Sequence, residues 1–107
     1  MEHAFRAIAD PSRRAVLDML AQGERAVNEL LEAFSFSQPA LSRHLRVLRE
    51  AGLVRARAVG RQRLYFLRPE GLRPVAEWVR SYERFWQERL DRLGDLLDEQ
   101  PEEENEA

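Results

Sequence analysis

Residues 37–68, SQPALSRHLRVLREAGLVRARAVGRQRLYFLR, decide how this chain folds, because they join an amphipathic helix directly to an arginine-rich β-hairpin. Ser37 is placed to cap a helix whose first turn tolerates Pro39, since the missing N–H lacks an intrahelical partner there anyway. Leu41, Leu45 and Leu48 recur at i, i+4 and i+7 as one apolar stripe, and Gly52 after Ala51 ends the helix. Gln38, Ser42, Arg46 and Arg49 share a neighbouring face with Arg43 further round, so polar groups of long reach point away from the stripe. Residues 53–59 and 62–67 then place Val54, Val59, Tyr65 and Phe66 around Gly60-Arg61, the pattern of two strands and a tight turn. A helix over about 38–51 followed by a wing over about 53–67 is the outline of a DNA-reading element.

Charge follows the same outline. Arg43, Arg46, Arg49, Arg55, Arg57, Arg61, Arg63 and Arg68 face one acid, Glu50, so the segment carries +7 in a chain of net charge −2. Such concentration is what a polyanion senses. Residues 1–68 hold 12 arginines and 7 acids, whereas residues 69–107 hold 5 arginines and 12 acids, so the two parts suit different partners.

On the N-terminal side, His3 to Ala9 is a short helix with Ala4, Phe5 and Ile8 on one side, and Asp10 caps a second helix that Pro11 begins. Val16, Leu17 and Leu20 form its apolar face, with Gly23 at its end. A third helix runs from about Ala26 to Ala33 with Val27, Leu30 and Leu31 inward, and Phe34-Ser35-Phe36-Ser37 is a turn with a hydrophobic plug. Beyond Pro69 a broad apolar band, Trp78, Val79, Tyr82, Phe85, Trp86, Leu90, Leu93, Leu96 and Leu97, predicts one helix of roughly 25 residues and about 38 Å. No other element in so small a chain covers that length, so part of the band is expected to meet a second copy. Phe5, Ile8, Trp78, Tyr82, Phe85, Trp86, Leu90 and Leu93 are the expected dimer interface. The alternative for Trp78, Tyr82, Phe85 and Trp86 is the lining of an apolar effector pocket. Residues 1–99 are expected to form one domain and residues 100–107 an acidic, disordered tail.

Apolar residues make up 44% of the chain and charged residues 34%, which places it among globular rather than disordered proteins. It has no cysteine, which excludes disulfide and thiolate chemistry. The N-terminus lacks a basic-then-apolar leader and no apolar run is long enough to span a bilayer, so a cytoplasmic protein without membrane contact is expected. His3 and His44 are the two histidines, too few for a zinc site that needs three or four ligands, and His44 beside the leucine stripe reads as a packed helix residue. No metal, no cofactor and no catalytic residue is expected, because no glycine-rich phosphate loop or nucleophile elbow occurs.

With these residues in view the chain resembles the ArsR-type winged helix-turn-helix transcriptional repressors. The resemblance rests on Ala9-Asp10-Pro11-Ser12-Arg13-Arg14, on Ser37-Gln38-Pro39-Ala40-Leu41-Ser42-Arg43-His44-Leu45, on Leu48-Arg49-Glu50-Ala51-Gly52-Leu53-Val54, and on Gly60-Arg61 with Tyr65. It extends over about residues 3–97 and implies a mainly α fold with a small β-hairpin and helices at both ends forming a dimer seam. It further implies a homodimer on a palindromic operator, released by an effector. Recognition-helix contacts carry over to Ser37, Gln38, Ser42, Arg43 and Arg46, and the wing-tip contact to Arg61. The third helix, Val27-Asn28-Glu29-Leu30-Leu31-Glu32, lacks the paired cysteines of the metal sensors, and the last helix has no histidine, so the resemblance is to the metal-independent branch.

The residues themselves support those contacts. Gln38 matches an adenine edge, and Arg43 or Arg46 a guanine edge, each pair giving about 1–3 kcal/mol of discrimination. Arg57, Arg61 and Arg63 suit phosphates or a narrow minor groove, the alternative being a hairpin charged to block strand pairing. The expected partner is therefore double-stranded DNA. The alternative for the whole arginine face is an acidic protein partner.

Overall fold

The Asp10-Pro11 step separates α1 (Glu2–Ala9) from α2 (Pro11–Leu20). Asp10 Oδ1 accepts from the amides of Ser12 at 2.7 Å and Arg13 at 3.3 Å, which satisfies two donors at the start of α2. Arg13 and Arg14 reach the other way. Arg13 donates to the carbonyls of Ala7 at 2.7 Å and Arg6 at 3.0 Å, and Arg14 to that of Ile8 at 2.7 Å. These are the carbonyls a helix end leaves unpaired, so Ala9–Arg14 closes one helix and opens the next. On α1 the residues buried in the core are Ala4 and Ala7, with Phe5 and Ile8 half-buried.

The structure, a computed structural model, describes residues 2–99; the expected acidic tail lies outside the described residues. The chain divides into two units, residues 1–75 and residues 76–107. In the first, α1 and α2 are followed by a two-residue strand β1 (Arg25–Ala26), α3 (Val27–Ala33), α4 (Gln38–Glu50), β2 (Val54–Val59), β3 (Gln62–Leu67) and a 3-10 turn (Pro69–Leu72). Mostly helical with a small antiparallel sheet, this is the expected winged helix-turn-helix. The sheet has one strand more than expected: its order is β1-β3-β2, with Arg25 opposite Tyr65 and Ala26 opposite Leu64. Two residues are too few to show a period of two, so β1 is defined only by its partner.

Ser37 caps α4 through Ala40 N–H at 3.2 Å, and the predicted stripe Leu41, Leu45 and Leu48 is buried against α1, α2 and β2. Leu30, Leu53, Val16 and Val54 are the other large side chains buried with Leu41 and Leu48. Each such aliphatic side chain contributes about 1.5–3 kcal/mol on burial, so the inner face of α4 is fastened by the core while its outer face is left for other work. Phe34 stacks on Phe36 at 5.1 Å between ring centroids, and Phe36 lies 5.2 Å from His44. The short turn before α4 is thus plugged as predicted, and His44 is a packed residue whose Nδ1 is buried without a hydrogen-bond partner among the described residues.

The far end of α4 meets the 3-10 turn backbone to backbone. A Cβ on Gly71 would fall 2.1 Å from the carbonyl oxygen of Gly52, an approach only glycine permits. Arg68 secures this corner, donating to Gly52 O at 3.3 Å and pairing with Glu70 at 3.4 Å.

The single long helix expected after Pro69 is corrected by the structure to α5 (Arg73–Arg80) and α6 (Glu83–Glu99). Ser81 is the cause. Its hydroxyl donates to Trp78 O at 2.6 Å, and Tyr82 N–H turns to Val79 O at 3.0 Å, a tighter i to i−3 bond that replaces the α-helical ladder. At 17 residues α6 is about 26 Å long. The apolar band survives the break and is open: Trp78 is 55% exposed, Phe85 59% and Leu90 61%.

Candidate nucleic-acid interface

With the leucine stripe fixed inward, Gln38, Ser42, Arg43, Arg46 and Arg49 stand on the exposed side of α4. Pro39, Ser42, Arg43 and Arg46 line one shallow hollow there. From Gln38 to Arg49 this face runs about 17 Å at 1.5 Å per residue. Ser37 belongs to the cap, its hydroxyl engaged by Ala40 N–H.

The wing follows from the tight turn. Val59 pairs with Gln62, leaving Gly60 and Arg61 as a two-residue loop in which Gly60 has φ +61°. Glycine at the first loop position matches the primed turns that suit twisted hairpins. Register then sorts the arginines. Arg57 lies opposite Leu64 and Arg63 opposite Ala58, and since directly opposed residues share a face and neighbours alternate, Arg57 and Arg63 stand on opposite faces.

The face of Arg63 looks toward α3 and the start of α4. Arg61, Gln62 and Arg63 from the wing, Gln38 from α4 and Asn28 from α3 surround a cleft of about 310 Å³. Arg63 lies over the Tyr65 ring, 6.0 Å from its centroid, a cation–π contact along the wing. On the other face Arg57 is paired with Glu24 at 2.5 Å. The structure therefore brings Gln38, Arg61 and Arg63 together and keeps Arg57 apart, with its charge already answered. Glu24, Asn28 and Gln62 had no signal of their own in the sequence, because their importance lies in pairings that appear only when the hairpin folds back on α3.

Desolvation raises the proton affinity of the Asp10 carboxyl, but the amide bonds from Ser12 and Arg13 and the nearby Arg13 and His44 outweigh it and hold the carboxyl below its ordinary range. Among the described residues no three of His, Asp and Glu gather as a metal site, and no described helix is long and apolar enough to cross a membrane.

A helix-turn-helix whose second helix is followed by a basic hairpin defines a winged-helix protein. Residues 10–56 match the model of the bacterial regulatory protein, arsR family. The chain is 40% identical over 97 residues to the HTH-type transcriptional regulator Rv2034 of Mycobacterium tuberculosis, covering 91% of this chain and 88% of that one. It is 32% identical over 82 residues to the transcriptional repressor SdpR of Bacillus subtilis, 77% of this chain and 91% of the relative. The crystal structure of an ArsR family transcriptional regulator, RHA00566, superposes with a TM-score of 0.71 at 32% identity, over 80% of this chain and 89% of that one. The chain belongs to the ArsR family of regulatory proteins. It is a DNA-binding transcriptional regulator of a family of repressors, and not an enzyme.

Proposed function

We propose that the protein represses transcription in the cytoplasm as a homodimer on a palindromic operator, with α4 of each copy in successive major grooves about 34 Å apart. One observation carries this reading: Gln38, at the start of the exposed face of α4, and Arg61 and Arg63 of the wing border a common cleft. Gln38, Ser42, Arg43 and Arg46 read base edges or hold phosphates, with Ser37 at the cap, while Arg61 and Arg63 hold the flanking backbone. Arg57 serves the wing's own structure through Glu24.

Dimerisation is supported by the open strip Trp78, Tyr82, Phe85, Trp86, Leu90 and Leu93, each at least 45% exposed, because monomeric proteins seldom leave so long an apolar surface uncovered. Phe5 and Ile8, half-buried on α1, are the proposed complement at the other end of the chain. The regulator works without a metal, since α3 offers Asn28, Glu29 and Glu32 where metal sensors have thiolates.

Selection from a random duplex pool at near-physiological salt tests the proposal. Enrichment of a two-fold sequence with half-sites about one helical turn apart is the expected result. Recovery without sequence preference rejects operator reading in favour of a surface for an acidic partner.

A further inference from the structure

An α-helix with its side chains is about 10–12 Å across and the major groove about 12 Å wide, so a helix in the groove brings the phosphate walls against whatever flanks it. At the start of α4 the flanking structure is the cleft between α3 and the wing. Its polar rim contains two cations, three amides and no acid. Among the described residues neither Arg61 nor Arg63 is in an ion pair, and no hydrogen bond engages the side-chain amides of Asn28, Gln38 or Gln62. The other arginine of the wing turned toward an acid, Arg57, stands on the opposite face. Donors without acceptors thus converge on this cleft.

We propose that this cleft seats one phosphodiester group of the DNA backbone, with Arg61 and Arg63 neutralising its charge and the amides of Asn28 and Gln62 donating to its oxygens. The inference rests on the DNA-reading assignment of α4 and adds to it a contact from α3. Asn28 becomes part of the interface although it lies on the first helix of the helix-turn-helix, and the seat fixes where along the strand the wing comes to rest. Contacts of this kind position a protein on the duplex without reading a base.

The test uses fluorescence anisotropy with the full chain and a labelled mixed-sequence duplex of about 30 base pairs, long enough for two half-sites one turn apart. Asn28→Ala is expected to weaken binding by about tenfold or more, as for loss of a hydrogen bond to a charged group. Arg63→Gln is expected to lower the slope of log affinity against log salt by about 1 for each copy bound. The double variant should lose less than the product of the two single losses, because both act on the same phosphate. All of these side chains are exposed, and thermal melts verify that the variants fold.

Asn28→Ala binding like the unaltered protein, or losses that multiply, overturns the seat. Arg43→Ala separates the two levels. If it weakens binding while Asn28→Ala does not, the seat fails and the assignment of α4 stands; if Arg43→Ala and Arg63→Gln both bind normally, the DNA-reading assignment fails and the seat with it.

Discussion

Gln38 and Arg61 border the same cleft, and the proposal gives them different work. Replacing Gln38 by Ala should relax preference at one base pair of each half-site, a loss of about 1–3 kcal/mol in discrimination, while affinity for mixed sequence stays nearly constant; sequencing the duplexes selected by the variant measures this. Replacing Arg61 by Ala should lower affinity almost equally for all duplexes and flatten the salt dependence, read by anisotropy titrations at several salt concentrations. Asp10 works on stability rather than binding. Its carboxyl is held below the usual range in the folded chain, so the charged form contributes stability that is complete above the unfolded carboxylate pKa and is lost as pH falls through the folded value. Asp10→Asn keeps an oxygen for the cap and removes the titration. Thermal melts should therefore show a shallower fall in melting temperature on the acid side for that variant than for the unaltered chain.

At the scale of elements, the helices were legible where side-chain periodicity sets them and obscure where main-chain geometry does. The stripe of Leu41, Leu45 and Leu48, the Ser37 and Asp10 caps and the Gly60-Arg61 turn appear in the structure as predicted, since each is a local pattern tied to one backbone state. The break at Ser81 was hidden because the apolar band runs through it unaltered, and only the hydroxyl bond to Trp78 O reveals the competition. β1 was too short to register, and the Arg57–Glu24 pair joins residues 33 apart. The corner between α4 and the 3-10 turn was equally invisible. It yields a firm expectation: Gly71→Ala forces a methyl against the Gly52 carbonyl and should cost about 1–3 kcal/mol, the usual penalty of overpacking. For a domain of this size that corresponds to a melting temperature lower by roughly 5–20 °C, measurable by circular dichroism.

For the molecule as a whole, the proposed homodimer assigns self-association to the acidic C-terminal part and DNA contact to the arginine-rich reader. Phe85→Glu combined with Leu90→Glu places charges in the open strip of α6. The expected outcome is a monomer in analytical ultracentrifugation that binds a half-site duplex but has lost the added affinity of a two-site operator. The arginines are unevenly engaged as well. Arg6, Arg13, Arg57 and Arg68 are paired with carboxylates and Arg14 is spent on helix-end carbonyls, whereas Arg43, Arg46, Arg49, Arg55, Arg61 and Arg63 are in no ion pair among the described residues. Arg25, Arg73, Arg80, Arg84, Arg89 and Arg92 are in none either, but the six stand together on α4 and the wing, where Glu50 is the one acid in the sequence. A duplex therefore attracts α4 and the wing before any contact forms. Within a screening length of about 8 Å at physiological ionic strength these charges act together on the duplex, so that the rate of capture becomes a property of how the charges are arranged, not of how many there are.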